Sequence, residues 1–149
     1  MYVIGSSKLI KFQYARNVLQ RLTGPIVFKN PNKNSAVSTD FSQNGLQCIA
    51  EHIFSFSITR GLKIGSLNLS NNGLHVQLEN DISKRTFTIY KDLTELNISF
   101  NAFKRLPYHI FVGLQNLKIL NVSSNSLRVI EFQFSHMSNL SLLDLPIIS

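Results

Sequence analysis

The chain has 149 residues, 44% of them hydrophobic, and carries a formal net charge of +7. This balance indicates a folded globular chain and argues against a disordered one, and no apolar run approaches the roughly 18 residues of a membrane-spanning helix. Cys48 is the single cysteine, which excludes an internal disulfide and leaves the redox compartment undetermined.

The positive charge is concentrated in the first 35 residues, which hold six basic side chains and no acidic one. These are Lys8, Lys11, Arg16, Arg21, Lys29 and Lys33. The other residues carry nine basic and eight acidic groups. An anionic partner such as nucleic acid, a glycosaminoglycan or a lipid headgroup is one interpretation. We favour the other, a basic surface balanced by neighbouring protein.

One pattern then recurs along the chain, Leu-x-x-Leu-x-Leu-x-x-Asn-x-Leu, with other apolar residues in place of some leucines. Copies begin at residues 9, 36, 64, 93, 117 and 140, so successive starts lie 27, 28, 29, 24 and 23 residues apart. Aromatic residues replace leucines in the first copy, and Ala36 and Thr39 are weak apolar positions in the second. A period of this length predicts a stack of small supersecondary units.

This register predicts one continuous array over residues 9–149, after an incomplete N-terminal remnant at residues 1–8. The repeats are expected at about 9–35, 36–63, 64–92, 93–116 and 117–139, followed by a partial copy at 140–149. Solenoid ends need caps with a polar outer face, and neither terminal copy supplies one. We therefore expect a fragment of a longer protein.

Each copy predicts one short strand, because apolar and polar residues alternate at its fourth to seventh positions. The segment Leu96-Asn97-Ile98-Ser99 is the clearest case. Such strands bury little alone, so consecutive copies are expected to pair. The predicted fold is an α/β solenoid: a curved parallel β-sheet on the concave face, and an irregular or short helical convex side.

The motif asparagine follows the strand in every complete copy, at Asn17, Asn44, Asn72, Asn101 and Asn125. An amide side chain both donates and accepts hydrogen bonds, as the buried backbone groups of a turn require. The recurrence in register predicts an internal asparagine ladder and not a set of exposed loop residues.

A second recurrence lies on the far side of each coil. Phenylalanines follow the last motif position by four to six residues, and we expect them to fill the core behind the sheet. They are Phe28, Phe54, Phe111 and Phe134, with Phe87 as the expected filler in the irregular third copy.

Motifs that carry chemistry are absent. The four histidines fall at different phases of the repeat, and the sequence has no HExxH, no GxSxG and no phosphate-binding glycine loop. A regular solenoid also offers an open face and not a closed pocket. We therefore expect a non-catalytic protein without a metal site or cofactor.

The predicted outward strand positions are polar, small and mixed in charge, with one large aromatic among them, Phe100. Large aromatics often dominate binding energy at the centre of an interface. We predict Phe100 as a ligand-binding anchor flanked by Glu95 and Lys118, with Lys11 and Arg16 as further candidates. The alternative is a lone surface phenylalanine, which needs no explanation.

The segment Leu106-Pro-Tyr-His-Ile-Phe111-Val-Gly-Leu114-Gln-Asn-Leu117 resembles the typical extracellular class of leucine-rich repeat. The phrases Leu67-Asn-Leu-Ser-Asn-Asn72 and Leu96-Asn-Ile-Ser-Phe-Asn101 look like those of Toll-like receptor ectodomains. The resemblance implies a horseshoe ectodomain of an innate immune receptor that binds a protein or microbial ligand. It also implies a receptor dimer, cysteine caps, a membrane span and a signalling domain. The caps, the span and the signalling domain are not found in these 149 residues.

Four N-x-S sequons favour the extracellular interpretation, at Asn68, Asn97, Asn121 and Asn139. The first three are expected on adjacent strands about 4.8 Å apart, too close for three glycans, so Asn139 is the best candidate acceptor.

Two hypotheses for function stay open. The first is a recognition module on the extracellular face of a membrane receptor. The second is an intracellular scaffold in the cytoplasm that holds a partner protein.

Overall fold

The computed structural model describes residues 2–5, 11–22, 26–29, 35–49, 61–75, 87–107, 110–131 and 133–146. For residues 2–5, 22, 27–29 and 48–49 it describes the backbone alone. The predicted core residue Phe54 and the histidines His52 and His109 lie outside the described residues, as does the side chain of Phe28.

Ten short strands run through the described part of the chain. They are β1 (Tyr2–Gly5), β2 (Lys11–Gln13), β3 (Arg21–Leu22), β4 (Ile26–Lys29), β5 (Ala36–Asp40), β6 (Cys48–Ile49), β7 (Lys63–Asn68), β8 (Glu95–Asn97), β9 (Ile119–Asn121) and β10 (Leu142–Asp144).

The main sheet has six strands in the order β2-β5-β7-β8-β9-β10, and every neighbouring pair is parallel. Each strand comes from one copy of the motif, and neighbouring strands of the sheet come from consecutive copies. Each coil of the chain therefore adds one strand to the sheet. This arrangement confirms the predicted solenoid with one parallel sheet.

The opposite side of the coils is built from turns and from two small parallel sheets, β1 with β4 and β3 with β6. The sequence predicted that this side is either irregular or short helical. Among the described residues there is no helix, so the irregular alternative is the one observed there. Residues 2–5, expected in a remnant before the array, supply β1 of this back layer.

Between the two sides lies a continuous apolar core. Leu96 and Leu120 pair in register at the centre of the main sheet, and both are fully buried together with Ile98 and Val122. These are the alternating apolar positions of the motif, so the period-two pattern correctly predicts the inward face of the strands.

Thr39 occupies an inward strand position and is also fully buried. A buried hydroxyl without a partner would destabilise the fold. The Thr39 hydroxyl donates a 3.0 Å hydrogen bond to the carbonyl of Ser66 on the next coil. A weak position of the sequence pattern is thus satisfied by a contact between coils.

The back of the core contains the predicted phenylalanine stack. The rings of Phe87 and Phe111 lie 6.3 Å apart at an interplanar angle of 15°, and both are buried, which confirms Phe87 as the filler of the third copy. Phe134 continues the series and is half-buried.

A tight turn follows each of these phenylalanines. The amide of the residue three positions on donates to the phenylalanine carbonyl, at 3.0 Å from Tyr90, 3.2 Å from Leu114 and 2.8 Å from Met137. All three side chains are buried beneath the stack. Burial raises the pKa of the Tyr90 phenol above its usual range, so this tyrosine stays neutral within the core.

The pairing between β5 and β7 departs from the regular register. Val37 pairs with Ile64, but Ser38 pairs with Ser66, so Gly65 is an extra residue in β7. Burial alternates without interruption along β5, so Val37, two residues before Thr39, is buried and Ala36 is exposed. The assignment of Ala36 to the first apolar position of its copy was therefore wrong by one residue, because β5 lacks the extra residue that Gly65 provides in β7.

Gly65 faces Ala36 across this bulge, and a Cβ built on Gly65 would lie 2.8 Å from the Cβ of Ala36. We predict that Gly65→Ala lowers the free energy of unfolding by about 1–3 kcal/mol through overpacking. Urea denaturation followed by circular dichroism measures the effect. The matched control is Gly65→Ala in an Ala36→Gly background, where the clash is removed. Equal costs in the two backgrounds would contradict this account.

Candidate functional site

The strand register places the outward side chains of the main sheet in two columns. The first column contains Lys11, Ser38, Ser66, Glu95, Ile119 and Leu142. The second contains Gln13, Asp40, Asn68, Asn97, Asn121 and Asp144. A third column lies just beyond the strands, at the eighth motif position: Arg16, Gln43, Asn71, Phe100 and Ser124. We call these three columns the outward face.

All five residues of the third column adopt a left-handed backbone conformation, with φ between 51° and 59°. This conformation is unfavourable for residues with a Cβ, and most of all for bulky ones. Hydrogen bonds between coils hold it. The amide of Phe100 donates to the carbonyl of Ser123 at 3.1 Å, and the amide of Asn71 donates to that of Ser99 at 3.0 Å.

Phe100 is the large side chain of this column, and 60% of its surface is exposed. Asn71 and Ser124 on either side are smaller and polar. The exposed ring is therefore larger and less polar than its neighbours in the column, and its residue has an unfavourable backbone conformation. In natural proteins such strained positions concentrate at functional sites.

Glu95 lies in the same coil as Phe100, at the start of β8, and is exposed. Lys118 was expected beside it at an outward strand position, which was wrong by one residue. Ile119 pairs with Glu95, and Lys118 precedes β9, where its amide donates to the carbonyl of Thr94. The alternation places Ile119 outward because Leu120 fills the core.

Lys11 and Arg16 lie in the coil of β2, at the other edge of the main sheet. Three strand spacings separate β2 from β8, which corresponds to roughly 14 Å. The Arg16 guanidinium donates a 2.9 Å hydrogen bond to the side-chain carbonyl of Gln43. The structure therefore divides the candidate ligand residues into two sets. Phe100, Glu95 and Lys118 lie in the coils of β8 and β9, and Lys11 and Arg16 lie in the coil of β2 at one edge of the sheet.

The second column contains a feature that the sequence reasoning missed. The side-chain oxygens of Asp40, Asn68, Asn97 and Asn121 accept hydrogen bonds from the amide two residues on, at 3.0–3.1 Å. The hydroxyls of Ser99 and Ser123 donate to the same oxygens at 2.7 Å. These turns need Asp or Asn, whose side chain accepts from a backbone amide two residues on, and serine adds a second donor at Asn97 and Asn121. Three of the four sequons therefore also have a structural role.

The fourth sequon asparagine, Asn139, is exposed and is not part of the three columns. Its side-chain amide donates to the carbonyl of Gln115 at 2.8 Å. Asn116 makes the same contact with Lys91 one coil earlier, also at 2.8 Å. An amide nitrogen carries two hydrogens, so Asn139 retains one beyond this contact.

The motif asparagines lie in register behind the third column. The Asn101 amide donates to the carbonyls of Ile98 and Ser99 in its own coil and to Leu69 in the preceding one, at 3.0–3.1 Å. Its oxygen accepts the amide of Leu74 at 3.0 Å. Asn44, Asn72 and Asn125 make equivalent contacts within and between coils. The amide of Asn17 donates within its own coil, to Tyr14 and Ala15.

In the described ranges no three His, Cys, Asp or Glu side chains are grouped so that they could hold a metal ion. His75 and His136 each place a ring nitrogen within hydrogen-bond distance of a backbone carbonyl, at 2.7 Å and 3.2 Å. Within the same residues there is no helix with the length and hydropathy needed to span a membrane.

Comparison with known families agrees with this geometry. Residues 91–146, which include β8, β9, β10 and Phe100, match the family model of the leucine rich repeat. This segment is therefore similar to leucine-rich repeats, and the solenoid of parallel strands is consistent with that fold. Proteins of that family are generally non-catalytic. No curated protein matches the chain.

The asparagine contacts lead to a prediction about stability. Replacing Asn101 by alanine leaves the amide of Leu74 and the carbonyl of Leu69 without this partner inside the solenoid. We expect Asn101→Ala to lower the free energy of unfolding by about 3 kcal/mol, measured by urea denaturation. Asn17→Ala is the control and should cost less than about 1 kcal/mol, because the donated bonds of its amide stay within one exposed turn. Similar losses for the two variants would contradict the bridging role.

Proposed function

We propose that this chain is a recognition module that binds a protein ligand on its outward face, with Phe100 as the anchor. The observation that carries the proposal is the exposed ring of Phe100 on a left-handed backbone, at φ 51° and 60% exposure. Left-handed backbone at a non-glycine residue costs on the order of 1 kcal/mol. Asparagine, which occupies this position at Asn71, tolerates it better.

Other outward residues of β8, β9 and β10 indicate the kind of partner. In the first column Glu95 is exposed, Ile119 is half-buried and Leu142 is half exposed. In the second column Asp144 is exposed on β10. A partner that offers an apolar pocket for the ring and basic groups around that pocket would complement this face.

We further infer that the module belongs to a receptor of the Toll-like type or a related cell-surface glycoprotein. The sequence resemblance supports this context, as does the exposure of the sequon asparagine Asn139, which lies outside the three columns. In that setting the ligand is a protein or microbial molecule, binding is coupled to receptor dimerisation, and the module lies on the extracellular side of the membrane and contributes to innate immune signalling.

The anchor is tested by Phe100→Asn. We expect the free energy of unfolding of this variant to rise by about 1 kcal/mol, because asparagine relieves the left-handed strain. The variant should therefore unfold at a higher urea concentration. At the same time it should reduce capture of at least one cell-surface or secreted protein by roughly tenfold or more, since anchors contribute about 2 kcal/mol or more. Quantitative pull-down with immobilised chain measures this loss.

Val129→Asn is the matched control, since Val129 is exposed but lies outside the three columns. It should leave the captured proteins unchanged. Identical capture by the original chain, Phe100→Asn and Val129→Asn would contradict the anchor.

The receptor context is tested by expressing the chain behind a secretion signal and treating the product with an N-glycosidase. We expect a mobility shift that Asn139→Gln and Ser141→Ala abolish, because both destroy the sequon. Ser141→Thr preserves the sequon and should retain the shift. Efficient folding of unglycosylated chain in the cytoplasm, with no glycan on secreted material, would favour the intracellular scaffold.

A further inference from the structure

Two neighbouring asparagines of the ladder are each followed by glycine, as Asn44-Gly45 and Asn72-Gly73. The other three are followed by Val18, Ala102 and Ser126. Asparagine is a chemically labile residue, and a following glycine increases this lability for a steric reason. Glycine has no side chain to obstruct its own backbone nitrogen when that nitrogen attacks the side-chain carbonyl carbon of the preceding asparagine.

Folding engages both reacting groups at these two positions. The attacking nitrogens are occupied: the amide of Gly45 donates to the carbonyl of Leu19 at 3.1 Å, and that of Gly73 donates to Leu46 at 2.9 Å. The electrophile is also held. The Asn72 amide donates to the carbonyls of Phe41, Leu69 and Ser70 at 3.0–3.1 Å.

Asn44 is held in the same way. Its amide donates to the carbonyls of Tyr14, Phe41 and Ser42 at 3.0–3.1 Å. The side chain cannot rotate toward the glycine nitrogen without breaking contacts with two coils. When the coils separate, these contacts are lost together and both pairs become free to react.

We propose that Asn44 and Asn72 are deamidation sites that record opening of the solenoid and prevent its closure. In the opened chain, the glycine nitrogen loses its proton and bonds to the side-chain carbonyl carbon of the asparagine. The bond from that carbon to the amide nitrogen breaks, and ammonia leaves. The resulting succinimide then takes up water at either carbonyl, which produces aspartate or isoaspartate. No oxidant or reductant is needed.

The product does not fit the ladder. An ionised carboxylate accepts hydrogen bonds and donates none. At residue 72 it would face the carbonyl oxygens of Phe41, Leu69 and Ser70, which the native amide satisfies. Isoaspartate also lengthens the backbone by one carbon inside a turn whose register is fixed on both sides. Either product therefore blocks reclosure of the coil.

The fold itself does not require these glycines. In the described residues, positive φ values at glycine occur at Gly61 and Gly113 and not at Gly45 or Gly73. A Cβ on Gly45 would lie 3.8 Å from its nearest neighbour and one on Gly73 would lie 3.5 Å away, both ordinary contacts. Ala102 occupies the equivalent position one coil later. Alanine at both positions is thus a matched variant that retains the ladder and removes the labile sequence.

The experiment incubates the chain in mildly alkaline buffer, with and without denaturing urea, and follows each ladder asparagine by peptide mass spectrometry. In urea we expect deamidation at Asn44 and Asn72 at rates at least roughly tenfold above those in native buffer, because native contacts must open first. Asn101 and Asn125 should react slowly in both conditions, since alanine and serine follow them.

Urea is then removed and recovery of the native circular dichroism signal is measured. Chain deamidated at residues 44 and 72 should fail to recover. The Gly45→Ala/Gly73→Ala variant, incubated identically, should recover. Equal deamidation rates in native buffer and urea would overturn the shielding, and full recovery of deamidated chain would overturn the block on closure. Failure of the alanine variant to recover after the same incubation would also overturn the proposal, because it would assign the loss to another cause.

Discussion

The solenoid depends on one interaction, the bridge between a turn and the preceding coil that is made by Asn44, Asn72, Asn101 and Asn125. A coil of this kind leaves backbone amides and carbonyls inside the structure, where water does not reach them. Asn101 satisfies groups on both sides, donating to Leu69 and accepting from Leu74. The donor and acceptor of one amide make this possible, because aspartate would lack the donor and leucine would lack both. The same requirement fixes where each strand ends.

The outward face follows from that turn. Once the asparagine is held inside, the residue before it takes the left-handed conformation, as in all five members of the third column. At four of these positions polar side chains occupy the column, while Phe100 combines bulk with strain. The second column is constrained as well, because Asn68, Asn97 and Asn121 close turns with their own side chains. Recognition and structure thus share a narrow strip of residues, and Phe100 is the side chain in it that the fold explains least.

The errors of sequence reasoning were shifts of one residue. Ala36 was taken as buried in place of Val37, and Lys118 as outward in place of Ile119. In a strand a shift of one residue moves a side chain to the opposite face. The bulge at Gly65 arises from pairing between β5 and β7, so no local pattern marks it. The turns of the second column did leave a signal in the recurring Asp/Asn-x-Ser, but that pattern coincides with the glycosylation sequon and was interpreted as such.

The sequence by itself determined the architecture: the number of coils in the main sheet, the inward leucines, and the position of the phenylalanines behind them. These follow from local alternation and from the spacing of copies, which any one coil contains. Tertiary structure decided the rest. Which residue pairs with which, how Thr39 is satisfied, and why Phe100 stands on a strained backbone all depend on hydrogen bonds between coils 22 to 32 residues apart in sequence. Such contacts cannot be predicted from any single repeat, because each one joins residues of two neighbouring coils.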